Sequence, residues 1–364
     1  MFTSIKNKTI YKDKYKLHDE AVVISCFFNP QKSDIRVKNA KIFYESIKHL
    51  NHRIIECSIN NSPFYLPETK YIKRLNSDTW LWHKEALLNN IIRDLPKKFK
   101  YVFWLDADIL FDNNNWLVEG VKQLNKCNLI QPFSTCYHLD EGQNRPNLST
   151  QKWYSFCSNY INGLYKSHDY NTHGHVGFAW GARREILDQC FLYDKALIGG
   201  ADHIIAHAAS GIVPHHCIKE AFKDNLSHVI EWSKRFSKVC ADGYGYTRLG
   251  YVNGDLFHLW HGDVAKRDYY NRIKRFTPMI AKSILKKNNN GLYYQPSQNN
   301  DRSGGNLLGY FAAYMLGREM VKDNDQFTPG SGSFGGAGAN ASWEENKDVD
   351  VVEKTGITNN VIFS

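Results

Sequence analysis

The chain has no C-x-x-C pair: its eight cysteines stand apart at positions 26, 57, 127, 136, 157, 190, 217 and 240. That scatter argues against a disulfide framework and suits a reducing compartment, so a cytoplasmic location is expected. The opening MFTSIKNKTIYKDKYKLHDE is polar and lysine-rich and lacks the apolar centre of a secretory signal. No run approaches the ~20 apolar residues of a membrane-spanning helix, and in such a compartment the N-x-S/T triplets carry no meaning. A second ligand pair at metal spacing is also missing beside His215-His216-Cys217, which argues against a structural zinc protein.

What is present is a core-forming composition. The 364 residues are 42% hydrophobic, enough for one large or two ordinary domains, and 14% aromatic. Aromatics line sugar and base sites, and they also fill cores. The net charge is +9 and uneven: residues 323–364 hold seven acids against two lysines, which leaves the preceding chain at +14. A body this basic favours polyanionic partners such as a nucleotide diphosphate, nucleic acid or an anionic surface, and it also serves plain solubility.

Along the chain, apolar strand patterns alternate with helical ones. AVVISCFFN (21–29), HRIIECSI (52–59) and KYVFWLDADILF (100–111) predict strands, and 34–50 and 79–96 predict helices between them. Helix 115–124 and strand 128–135 follow, then polar and aromatic loops over 137–172. HVGFAWGARREIL (175–187) runs from strand to helix, ADHIIAHAAS (201–210) is helical, and GDLFHLWHGD (254–263) is a strand ending in histidines. Helices are expected at 267–276 and 306–321. Strand–helix–strand alternation predicts an α/β fold with a mixed, mostly parallel sheet flanked by helices. Four regions are expected: a basic arm (1–20), the main domain (21–285), a helical extension (286–322) and a Gly/Ser-rich acidic tail (323–364).

The third strand ends in two aspartates, Asp106 and Asp108, separated by Ala107. Side chains two apart in a strand share a face. Open α/β sheets bind ligands outside the carboxyl ends of their strands. Two carboxylates held that close repel one another, and a divalent cation relieves the repulsion, with oxygen donors suiting Mg²⁺ or Mn²⁺. The alternative is a strand-to-turn junction in which an aspartate caps the next helix.

Over roughly residues 21–275 the chain resembles the GT-A (Rossmann-like) glycosyltransferases, and galactosyltransferase-like members in particular. Four elements in the family's order carry the resemblance: FWLDADILF, the preceding WLWHKEALLNNII, HVGFAWGARREILDQC with LIGGADHIIAHAASG, and FHLWHGDVAKRDYYNRI. It implies that Asp106, Asp108 and His261 hold the metal, with His258 as the competing ligand or a sugar- and acceptor-side residue. It implies that Asp202 is the base of an inverting transfer. The family's G-G-E-D is Gly199-Gly200-Ala201-Asp202 here, with alanine replacing an acceptor-holding glutamate. Asp202 also suits a helix cap. Gly200 and Trp180 are expected on the acceptor or sugar side, although Trp180 equally suits the core. Phe28, Asn29, Glu56 and Lys84 are expected around the nucleotide, with Glu56 accepting from a uracil N–H, and Lys266 near the diphosphate.

The implied activity is metal-dependent transfer of a sugar from a UDP-sugar, with Mn²⁺ or Mg²⁺, to a hydroxyl on a glycan, a glycoconjugate or a hydroxymethylated DNA base. Some motifs also resemble virus-encoded and base-J-type DNA glucosyltransferases, and the basic body fits a DNA acceptor. The other class in play is a non-catalytic nucleic-acid-binding protein built on the same fold.

Overall fold

The computed structural model describes residues 19–59, 61–164, 173–213, 215–222, 226–241, 245–262, 273, 275–277 and 285–296. Lys266, most of the helix expected at 267–276, the helix expected at 306–321 and the acidic tail lie outside them.

The centre is β1 (Ala21–Phe28), whose first five residues are buried. Its side chains serve two cores by simple alternation. Val22 and Ile24 enter one apolar cluster, and Ala21 and Val23 enter the other. A strand buried on both faces belongs in the middle of a mostly parallel sheet. β2 (His52–Ile59) and β3 (Ile72–Ser77) follow on one side, both parallel, and β4 (Tyr101–Leu105) pairs on the other side of β1, also parallel. β9 (Ala179–Arg183) runs antiparallel between β4 and β6 (Cys127–Gln131), and β10 (Thr247–Tyr251) closes that edge parallel to β6. The order is β10-β6-β9-β4-β1-β2-β3. The expected mixed, mostly parallel sheet is therefore present, with β9 as its reversed strand.

Helices cover both faces. On one side α1 (Asp34–Ile47), capped by Ser33, buries Val37, Ala40, Phe43 and Ile47, and α3 (Trp116–Leu124) buries Leu117, Val121 and Leu124. The other side carries α2 (Lys84–Asp94), α5 (Arg184–Gln189), α6 (Ala201–Ser210) and α8 (Leu226–Val239). Two short helices complete the set, α4 (Phe156–Ile161) and α7 (His216–Ala221).

The strand expected over 100–111 is broken. It leaves the large sheet after Leu105 and resumes as β5 (Ile109–Phe111) in a second sheet, of order β5-β11-β7-β8. That sheet also contains β7 (Thr135–His138), β8 (Gln151–Tyr154) and β11 (Asp255–His258). The break is fixed by backbone bonds on either side of Ala107: Asp106 N–H donates to Phe178 O at 2.8 Å, and Leu259 N–H donates to Asp108 O at 2.8 Å. The two aspartates thus lie at opposite ends of the turn between the two sheets, and the expectation that they share one strand face fails. The loops expected over 137–172 also contain β8 and α4. Residues 285–296 include a short hairpin, β12 (Lys286–Lys287) with β13 (Tyr293–Tyr294), tied to α2 by Asn90 Nδ2 donating to Asn290 O at 2.7 Å.

Phe103 on β4 shows how tightly the layers meet. A Cβ on Gly181 of β9 would lie 2.6 Å from its ring, and one on Gly120 of α3 would lie 2.7 Å from it. We expect Gly181→Ala to destabilise the protein by about 1–3 kcal/mol through overpacking. A urea titration that leaves the unfolding midpoint unchanged would contradict this packing.

Candidate active site

The chain order changes direction between β1 and β4: β2 and β3 lie to one side and β4 to the other. The crevice outside the carboxyl ends of such strands is where open α/β sheets bind ligands. Here it holds a pocket of ≈ 130 Å³ lined by Phe28 at the end of β1, Asp106 and Asp108 after β4, Lys84 at the start of α2, and His258 and His261 at and after the end of β11. A larger cleft of ≈ 810 Å³ lies elsewhere, beside Asn128, Arg183, Arg235 and Tyr246. It contains no histidine and a single acid, Glu185, which is ion-paired to Arg183. Volume alone does not select the site.

Two charge clusters build the pocket. In the first, the Lys84 ammonium sits 2.7 Å from Asp106 Oδ1 and 2.9 Å from Asp202 Oδ2. The Lys84 side chain is 9% exposed, against 28% for Asp106 and 22% for Asp202, so the cation is the sealed member. Burial alone would strip its proton, yet the Asp106 and Asp202 carboxylates outweigh burial and hold Lys84 well above its ordinary value. Asp106 is pushed up to about 6, chiefly by burial and then by Asp202 and Asp108, with Lys84 opposing. Glu85, next along α2, is pushed up to about 8 by burial.

In the second cluster, Asp108 Oδ2 lies 3.1 Å from His261 Nε2 and 3.7 Å from His258 Nε2. Burial opposes ionisation of Asp108, but the two imidazoles prevail and hold the carboxyl well below its usual range. These three side chains bring one donor atom each to within 4.8 Å of one another. Among the described residues, the buried Asp108 Oδ1 and Asp202 Oδ1 accept no hydrogen bond. A buried carboxylate oxygen without a donor is an opening for a cation. The donor set therefore fits a divalent metal, and two imidazoles with one carboxylate suit a transition ion such as Mn²⁺ better than Mg²⁺. His261 is held in place from α1, where buried Asn39 donates to Trp260 O at 3.0 Å.

The expected site residues are not all gathered here. Asp106 turns to Lys84, and His258 takes its place beside Asp108 and His261 in the donor group. Trp180 does not face a ligand. It is fully buried, stacks on Trp104 at 6.3 Å and donates its indole N–H to Val176 O at 2.8 Å, because β9 is an interior strand. Glu56 is likewise occupied, accepting from the backbone of Tyr65 at 2.5 Å and Leu66 at 3.2 Å. Asn29 closes its own turn, donating to Ser33 O at 2.9 Å and accepting from Ser33 N–H at 3.0 Å. Gly200 caps α6 in a left-handed conformation (φ 92°), where a Cβ would meet Ile273 at 2.9 Å. Lys266 lies outside the described residues.

Three pocket residues were not anticipated. Arg36, in the first turn of α1, carries no motif that marks it, and Trp82, edge-on to Phe28 at 5.1 Å, lies within the WLWHK element without being singled out there. Phe178 has φ 77°, a strained conformation for an aromatic residue, and stacks on His175 at 3.9 Å and on His258 at 4.8 Å. The sequence hint was the flanking glycine of H-V-G-F.

No family model and no curated protein matches the chain. Among solved structures, it aligns with the catalytic domain of Drosophila β1,4-galactosyltransferase 7 in complex with xylobiose at 13% identity and a TM-score of 0.29, covering 53% of this chain and 62% of that one. The chain thus spans about three-fifths of that structure. Mycobacterium tuberculosis glucosyl-3-phosphoglycerate synthase, solved with Mn²⁺, UDP and phosphoglyceric acid, aligns at 10% identity and a TM-score of 0.35, covering 78% and 90%. The S. aureus protein TarS in complex with UDP-GlcNAc aligns at 10% and 0.34, covering 72% and 66%. Likenesses this low assign neither fold family nor chemistry, and both rest on the chain's own sheet order and side chains.

His83, the residue before Lys84, is buried, with Nε2 2.9 Å from Thr79 Oγ1, and burial pushes it down to about 4. Its folded value lies below its unfolded one, so its contribution is present above about pH 6.5 and is lost as pH falls towards 4. We expect His83→Gln to remove up to about 3 kcal/mol from the acid-side slope of stability across that window. Parallel slopes for the two proteins in urea titrations between pH 7 and 4 would refute it.

Proposed function

We propose that this chain is a metal-dependent glycosyltransferase that moves a sugar from a nucleotide sugar, a UDP-sugar being the first expectation, to an acceptor hydroxyl. The observation that carries the reading is the crevice at the β1/β4 switch. It places the Asp108, His258 and His261 donor group beside the Asp106–Lys84–Asp202 bridge. The order of the four motif elements supports the same reading by resemblance to the GT-A enzymes.

Each residue's part follows from its surroundings. Phe28 and Trp82 offer apolar faces for the nucleoside, and Arg36 offers a cation for the diphosphate. Asp108, His258 and His261 would hold the cation, which when bound neutralises the leaving diphosphate as a Lewis acid. Lys84 donates to Asp202 Oδ2 and fixes its position. Asp202 then takes the acceptor's hydroxyl proton as that oxygen attacks the anomeric carbon and the nucleoside diphosphate departs, which inverts the anomeric centre. Asp106, held by Lys84, tightens the pocket floor rather than joining the donor group.

The acceptor is a glycan, a glycoconjugate or a hydroxymethylated DNA base. The +14 body supports DNA, since phosphate contacts would supply salt-dependent affinity. Among the described residues no helix is long and apolar enough to cross a membrane.

The test is nucleotide release from a panel of nucleotide sugars, with Mn²⁺ or EDTA, with and without hydroxymethylated DNA and glycan acceptors. One donor should turn over in a cation-dependent way. Asp108→Asn should abolish the cation dependence, and Asp202→Asn should lower turnover about 10²–10⁴-fold. No turnover of any donor, together with salt-dependent DNA binding, would favour the non-catalytic reading instead.

A further inference from the structure

Outside the crevice lies a second cluster of metal-ligand side chains. His173 enters from the segment before β9, His203 and His207 lie one turn apart on α6, and Cys217 lies in the first turn of α7. One donor atom from each lies within 4.8 Å of the others. His173 Nε2 is 3.2 Å from His203 Nε2, and Cys217 Sγ is 3.0 Å from His203 Nε2 and 3.2 Å from His207 Nε2. Ligands around a tetrahedral zinc, at about 2.0–2.1 Å for nitrogen and 2.3 Å for sulfur, are spaced by about 3.3–3.6 Å. These three contacts fall about 0.1–0.6 Å short of that spacing, so small side-chain shifts would admit the ion.

The surroundings orient the donors as a ligand shell does. His173 Nδ1 lies 2.8 Å from Gly174 O, and an N–H there leaves Nε2 to face the cluster. His215 stacks on the His207 ring at 3.9 Å and 6°, and caps α7 by accepting from Cys217 N–H at Nδ1, 3.3 Å away, so that the same atom lies 2.8 Å from Cys217 Sγ and fixes its position. The three histidines are between 1% and 5% exposed.

We propose that His173, His203, His207 and Cys217 form a structural zinc site, distinct from the Asp108 centre. Four protein donors close the coordination shell, as in structural rather than catalytic zinc sites. Three imidazoles and one thiolate match zinc's borderline-soft preference. On binding, Zn²⁺ forms a bond to the Cys217 sulfur, and the thiol proton passes to solvent. The ion would clamp the segment before β9 and the start of α7 onto α6, whose first turn carries Asp202 beside His203. The inference does not depend on the glycosyltransferase reading.

The test measures metal in full-length protein carrying Asp108→Asn, so that the crevice contributes nothing. After dialysis against EDTA and gel filtration, about one zinc per chain should remain. Cys217→Ala and His207→Gln, each added to that background, should lower it at least tenfold, and His216→Ala should not. Cobalt introduced in place of zinc should show the absorption of a tetrahedral site and a thiolate-to-cobalt charge-transfer band, and Cys217→His should lose the band while keeping the metal. The cobalt spectrum requires no alanine variant to fold. Zinc-free protein that also gives no thiolate–cobalt band would overturn the proposal. So would copper in zinc's place, or a metal content indifferent to Cys217 and His207.

Discussion

One buried ammonium organises the candidate site. Lys84 begins α2, Asp106 follows β4 and Asp202 lies in the first turn of α6, so a single cation ties three elements together at the β1/β4 crevice. The arrangement works only because both carboxylates are present. A lone lysine with 9% of its side chain exposed would lose its proton, and two carboxylates without the lysine would repel one another. With all three groups in place a net negative charge remains, and Asp108 adds to it. The pocket therefore suits a cation, and with it an anionic ligand that needs one.

The second constraint is the break in the chain after β4. Had residues 100–111 continued as one strand, Asp106 and Asp108 would point the same way and compete for the same partners. The chain instead passes from one sheet to the other at Ala107. Asp106 is thereby delivered to Lys84, and Asp108 to the histidines of β11 and the segment after it. The register of β5 against β11 sets Ile109 opposite His258 and so fixes the second pairing. Strain at Phe178 accompanies the junction, since its carbonyl receives the Asp106 amide while its ring stacks on His258.

Much of this was legible in the chain, where local pattern decides. Fully apolar strands followed by amphipathic helices announced the central sheet, and the aspartates at a strand end announced the crevice. Helix α6 was expected over 201–210 and runs from Ala201 to Ser210. What stayed hidden depends on long-range partners. Lys84 finds Asp202 118 positions away, and nothing near either residue signals it. Trp180 suits a ligand platform or the core equally by pattern, and only the interior place of β9, between β6 and β4, decides it. Glu56 could not be assigned before its backbone partners at 65 and 66 were known. Helix α8 was overlooked although Val229, Trp232 and Phe236 follow helical spacing. The second cluster was underrated in the same way: His203 and His207 share a helix face, but Cys217 and His173 join them only through the fold.

The account's central claim is that the crevice binds a divalent cation and a nucleotide together. The most direct test is a titration of Mn²⁺, followed by its electron paramagnetic resonance, on wild-type protein and on Asp108→Asn, with and without UDP. One Mn²⁺ per chain, bound more tightly when UDP is present and lost in the variant, is the predicted result. Mn²⁺ binding that is absent, or that is the same with and without both Asp108 and UDP, would contradict it.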